Sequence, residues 1–184
     1  MKKNVLKNLC SAALILIMVN FTSAQETKMV GGAPMYPSKN IVENAVNSKD
    51  HTTLVAAVKA AGLVETLQSE GPFTVFAPTN EAFDKLPEGT VATLVKPENK
   101  AKLTAILTYH VVAGELDAKA LMNKIKEGNG TAELTTVNGE KLWVMMSGDD
   151  LMLKDMKGNM AKVTISDVYQ SNGVIHVIDT VLMP

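Results

Sequence analysis

The stretch Thr74-Val75-Phe76-Ala77-Pro78-Thr79-Asn80-Glu81-Ala82-Phe83 decides how this chain folds. Together with Phe73 it opens as a β-branched and aromatic run between Pro72 and Pro78, which predicts a short buried strand. Thr79-Asn80-Glu81 then opens a helix. A Thr or Asn side chain accepts from orphan backbone N–H groups, and Glu81 suits the positive end of the helix dipole. Phe83 and Leu86 provide the apolar side of that helix.

The pattern extends in both directions. Upstream, Ile41, Val42, Ala45 and Val46 mark a short helix. Leu54, Val55, Val58 and Ala61 recur at helical spacing after the polar run Ser48-Lys49-Asp50, and Gly62 stops them. Leu63, Val64 and Leu67 add another turn or two before Gly71-Pro72. Downstream, a helix is predicted from about Glu98 to Val112, with Leu103, Ile106, Leu107 and His110 on one face, and another from Ala118 to Lys126. Strands follow. Asn138-Gly139 between Leu134–Val137 and Lys141–Val144 is a hairpin signal. Gly148-Asp149-Asp150, Lys157-Gly158-Asn159 and Ser171-Asn172-Gly173 are later turns, and Val174–Ile178 is a continuous apolar strand. Helices first and strands after predict an α+β fold with mostly antiparallel pairing.

The chain has 184 residues, enough for one domain with a sizeable core. A net charge of −1 gives no electrostatic reason to expect nucleic acid. The beginning differs in kind from the rest. Lys2, Lys3 and Lys7 precede the apolar run Leu9–Phe21, and Thr22-Ser23-Ala24 supplies small residues before Gln25. This is the build of a secretory signal, and the run is short for a membrane span. Cleavage after Ala24 is predicted, which would change the net charge from −1 to −4 and remove Cys10, the sole cysteine. No thiol chemistry or disulfide would then remain. Gly31-Gly32, Pro34 and Pro37 predict an irregular leader over residues 25–39.

Three segments resemble a known family. Thr74–Phe83 is similar to the first signature of the fasciclin domain, and Asn172–Asp179 with Val181, Leu182 and Pro184 to the second. Tyr109-His110 stands between them, as the family's central Tyr-His pair does. After the signal peptide (1–24) and the flexible leader (25–39) read above, the resemblance covers residues 40–184 as a fasciclin domain. It implies a β-sandwich or wedge of mostly antiparallel strands flanked by several short helices. It also implies a non-enzymatic adhesion module, secreted or periplasmic, whose partner is a surface protein or polysaccharide. No cofactor, no nucleic acid and no membrane span in the mature form are expected. In animal matrix members an Asp followed by an apolar residue before the second signature is linked to integrin binding. Asp167 and Val168 match that core, whereas Ile165 and Ser166 depart from the residues that precede it.

The residues themselves offer further candidates. Asp167, Val168 and Tyr169 lie before a turn, where a carboxylate and an anchor side chain could reach the surface, although Asp167 could equally brace that turn. His110 falls on the apolar face of its helix and His176 within an apolar strand, which predicts buried, hydrogen-bonded imidazoles; His51 is expected exposed near a helix start. No pair of histidines is spaced to chelate zinc, and no Gly-x-Ser-x-Gly or phosphate-loop pattern occurs. Met145, Met146, Met152, Met156 and Met160 lie close in sequence. They suit gap-filling or an adaptable contact surface, and a periplasmic small-ligand or Cu(I)-binding role is the alternative. Asn129-Gly130-Thr131 fits the glycosylation acceptor pattern.

Overall fold

The computed structural model describes residues 26–184. The expected signal peptide and its cleavage point lie outside the described residues. The first elements are strands: β1 (Lys28–Val30) and β2 (Ala33–Met35) pair antiparallel. This corrects the expectation of an irregular leader. Gly31 and Gly32 have φ of 56° and 73°, so the two glycines make a tight hairpin turn rather than a break. Val30, Ala33 and Met35 then bury themselves against the main core, and Lys28 Nζ donates to the Ser166 carbonyl at 2.7 Å. The folded unit therefore begins before Asn40.

Helices dominate the next stretch. Asn40 caps α1 (Ile41–Ala45) in a reciprocal box with Glu43. A single 3₁₀ turn, Lys49–His51, leads into α2 (Thr52–Ala61), which ends on Gly62 at φ 73°. Then come α3 (Val64–Gln68), β3 (Phe73–Pro78), α4 (Asn80–Asp84) and α5 (Thr90–Leu94). The Thr79 side chain caps α4 by accepting from the N–H of Ala82. The long helix α6 (Lys100–Tyr109) stops earlier than its apolar pattern predicts, because Val111–Ala113 leave it to form β4 on the edge of β3. β-Branched Val111 and Val112 suit that exchange. Asp117 caps α7 (Ala118–Glu127).

The remaining strands are β5 (Thr131–Thr135), β6 (Lys141–Ser147), β7 (Asp150–Lys154), β8 (Met160–Gln170) and β9 (Gly173–Ile178). Seven strands form one sheet in the order β4-β3-β9-β8-β7-β6-β5. Only β3 and β9 run parallel. The sheet curls so far that its edges meet: Val112 bridges Thr136, and the N–H of Val137 donates to the Val111 carbonyl at 2.7 Å. The fold is α+β with mostly antiparallel strands, as the element order predicts.

Strand β3 explains why its sequence is apolar without alternation. Val75 and Ala77 face one core, shared with Ile41, Ala57, Val58 and Ile106 under the helices. Phe76 faces a second, inside the curl, with Tyr109, Leu121, Leu142, Leu153 and Leu182. A strand buried on both faces needs apolar side chains on both. Its neighbour β9 begins at Gly173, with φ 150°. A Cβ there would stand 2.0 Å from the Phe73 carbonyl oxygen, so the parallel β3–β9 contact depends on glycine at this point. Among the described residues no helix is long and apolar enough to cross a membrane.

Candidate functional site

The Tyr109-His110 pair closes α6. Tyr109 is fully buried and its hydroxyl donates to the Lys141 carbonyl at 2.7 Å, tying the helix to β6. Burial is the main reason its hydroxyl is pushed up to about 12. His110 donates from Nδ1 to the Ile106 carbonyl at 2.8 Å, and its Nε2 accepts from the N–H of Leu182 at 3.0 Å. That pattern requires the neutral ring, and burial pulls its pKa down to about 4.

His176 is held in the opposite tautomer. Its Nε2–H donates to the Leu116 carbonyl at 2.8 Å and its Nδ1 accepts from the N–H of Asp167 at 3.4 Å. The ring stacks on Phe76 at 5.6 Å between centroids. Burial keeps it neutral by lowering its pKa. Neither imidazole has a lone pair left for a metal or a proton in transit.

Asp167 sits at φ 55° where β8 shifts register against β9, between Ile165 and Val168. This bulge turns its carboxylate onto α7, where Oδ1 accepts from the N–H of Ala118 at 2.6 Å. Asp117 and Asp167 together satisfy two orphan donors of the same helix start. Tyr169 is half-buried and its hydroxyl reaches Asp117 Oδ2 at 3.4 Å. Burial, then the nearby carboxylates of Asp167 and Asp117, push its pKa up. Val168 does not reach the surface: it is 1% exposed and packs into the helical core, because the residue after the bulge returns to the inward register. Val168 is therefore a core residue, which corrects its reading as a surface contact, and the half-buried Asp167 caps α7.

His51 also departs from expectation. It is 3% exposed, not at the surface, because the 3₁₀ turn folds it under α2. Its Nδ1 pairs with Ser48 Oγ at 2.8 Å, and its Nε2 has no hydrogen-bond partner although the Ala77 backbone lies near. Burial lowers its pKa.

The five methionines do not all share one face of the sheet. Met145 and Met152 pair across β6 and β7, Met146 projects from the other face, and Met160 stands opposite Lys154. Met156 lies in the turn after β7. Met145, Met152 and Met160 share the outer face with the ammonium groups of Lys154 and Lys162, which opposes a cation there. Among the described residues no group of three His, Cys, Asp or Glu could hold a metal.

What this region does form is a surface. Trp143 is half-buried on the outer face of the β5–β8 meander, with Glu133 beside it on β5 and Lys154 on β7. An open cleft of about 440 Å³ runs along it, lined by Trp143, Met145, Lys154, Met156 and Lys157. Glu133 is taken by Lys141 at 2.7 Å and Asp150 by Lys162 at 2.8 Å, whereas Lys154 and Lys157 have no acidic partner among the described residues. The Asp155 carboxylate turns inward, accepting from Lys157 N, Asn159 N, Asn159 Nδ2 and Met183 N.

Two polar residues that hold the domain together carry no sequence signal beyond turn or cap chemistry. Buried Asn172 accepts from the N–H of Ile41 at 3.0 Å and donates to the carbonyls of Leu67 and Ser69, both at 2.9 Å. Buried Asn44 bridges the Tyr36 backbone to the Gln170 side chain. Both bonds join segments more than a hundred residues apart, so only the fold brings them together.

The two signatures thus lie side by side as β3 and β9, with Tyr109-His110 locking the helix between them to the C-terminal segment. The fasciclin domain model matches residues 49–184. The chain belongs to the fasciclin family. It is similar to protein sll1483 of Synechocystis sp., with 46% identity over 91% of this chain and 86% of that protein. It is 39% identical to the cell surface glycolipoprotein MPT83 of Mycobacterium tuberculosis and 40% identical to the immunogenic protein MPB70 of Mycobacterium bovis, over 76% of this chain in each case. It spans 58% of the first of these and 66% of the second. Its fold matches the FAS1 domain pair of the insect cell adhesion molecule Fasciclin I at a TM-score of 0.55 and 26% identity, over 71% of this chain and 43% of that one. Fasciclin proteins are cell-surface and adhesion-related.

Proposed function

We propose that this chain is an exported, non-enzymatic adhesion module that binds a surface polysaccharide through the outer face of β5–β8. The observation that carries this reading is the cleft beside Trp143, which sets an indole edge and methionine side chains next to two lysines without an acidic partner among the described residues. Large, stiff aromatic groups anchor contacts at low entropic cost, and methionine adapts to an irregular partner. Sugar rings offer apolar faces to an indole, and acidic sugars offer carboxylates to Lys154 and Lys157. The cell-surface relatives and the charged, apolar and small-residue run of residues 1–24 support export, with cleavage after Ala24.

The test is binding of the purified protein to immobilised acidic and neutral polysaccharides. Trp143→Ala and the double change Lys154→Glu with Lys157→Glu should each abolish retention on the acidic polymer and leave the melting temperature within a degree or two, about the change expected of surface substitutions. Retention unchanged in both variants would move the adhesive face elsewhere. Tyr169→Ala tests the separate candidate contact near the end of β8. Sequencing of the exported protein should begin at Gln25.

A further inference from the structure

Beneath α1, α2 and α3 lies an apolar cavity of about 80 Å³. One water needs roughly 10–15 Å³ of such space, so the cavity is several waters in size. Val42, Leu54, Val55, Leu63, Val64 and Phe73 form its walls, all of them half-buried rather than fully packed. Most of the polar groups that touch it are already committed, Ser48 to His51 and both nitrogens of His110 to backbone, while His51 Nε2 is left without a partner among the described residues. Water entering would find almost no hydrogen-bond partners, and apolar cavities of this kind stay dry and accept apolar guests. A folded domain seldom keeps an unfilled void beneath half-exposed walls, since each missing contact forfeits dispersion energy.

The rim decides what kind of guest. Lys59, in the last turn of α2, lines the cavity and is exposed, and no carboxylate among the described residues pairs with it. We propose that this cavity binds a carboxylate-headed aliphatic chain, with the tail among Leu54, Leu63 and Val64 and the carboxylate outside against the Lys59 ammonium. The interior disfavours the reverse orientation, because a buried carboxylate would exchange its water for little more than the unpartnered ring nitrogen of neutral His51. This site is separate from the Trp143 cleft and stands whether or not that cleft binds sugar.

Octanoate, below its micellar concentration, is the probe, followed by methyl NMR and titration calorimetry. Saturable shifts confined to the methyls of Leu54, Val55, Leu63 and Val64 are expected. Lys59→Glu, a surface change that leaves the fold intact, should weaken octanoate by roughly tenfold or more while octyltrimethylammonium binds no more weakly than before. Val64→Phe, which fills the void, should remove both ligands. Absence of saturable shifts, shifts centred on other methyls, or equal octanoate affinity in Lys59→Glu would each overturn the proposal. Should Val64→Phe fail to fold, the Lys59→Glu comparison alone decides.

Discussion

His110 and Leu182 are joined by one hydrogen bond: the imidazole Nε2 accepts from the backbone N–H at 3.0 Å, while Nδ1 donates to Ile106 within its own helix. The ring thereby fastens the last residues of the chain to the end of α6. Replacing it leaves both a cavity and two orphaned backbone groups. His110→Ala should cost about 1–3 kcal/mol of unfolding free energy, read from urea titration. An unaltered urea midpoint would contradict the clamp.

The three histidines make stability depend on pH. All have their pKa lowered by burial, His110 from 6.5 to about 4. Between those values the unfolded chain binds protons that the folded chain refuses. The stabilisation is therefore complete above about pH 6.5 and shrinks as pH falls towards 4, by up to about 1.4 kcal/mol per unit for each histidine that stays neutral. Urea midpoints at pH 7.5 and 5 should differ, and His110→Gln should reduce that difference. A flat profile would mean that the folded state protonates its imidazoles.

Asp167 braces the start of α7. Its carboxylate caps α7 from across the fold while its backbone occupies the left-handed region. Asp167→Ala loses the cap and gains strain, and should lower stability by about 1–2 kcal/mol. Asp167→Asn keeps an acceptor and tolerates that backbone, so it should recover most of the loss in thermal unfolding. Equal destabilisation by the two would place the cost elsewhere.

Asn172 supplies three hydrogen bonds in a site closed to water. Asn172→Ala should destabilise by about 2–4 kcal/mol, near the top of the range for single changes. Asn172→Asp should fare no better, since a carboxylate cannot donate to the Leu67 and Ser69 carbonyls. Chemical denaturation of both variants checks this.

Gly173→Ala should prevent accumulation of folded protein, because its Cβ meets the Phe73 carbonyl at the first pair of the parallel β3–β9 ladder. Gly158→Ala is the control: its φ of 88° is also left-handed, yet the Cβ meets open space. Only the backbone penalty, about 1 kcal/mol, should register in its melting curve.

Much of the architecture could be read along the chain because it rests on local rules. The continuous apolar run of Phe73–Ala77, the capping Thr79 and the helical spacing of Leu54, Val55 and Val58 are properties of neighbours in sequence. Gly31-Gly32 misled for an instructive reason: the same pair breaks structure in a polar leader and makes a hairpin when Val30, Ala33 and Met35 have a core to enter. His51 misled likewise, since a polar run at a helix start says nothing about which element will cover it.

By itself the sequence determined the α+β order of elements, the two signature strands and the separate character of its first two dozen residues, all of which follow from periodicity, turn chemistry and motif. Only the tertiary structure decided that β3 and β9 lie side by side and that the sheet curls until Val112 meets Thr136. It alone turned Asp167 inward as a cap while leaving Trp143, Lys154 and Lys157 outward around a cleft. Whether a side chain is a brace or a contact depends on what lies across from it, and those partners are set by non-local packing that no window of neighbouring residues contains.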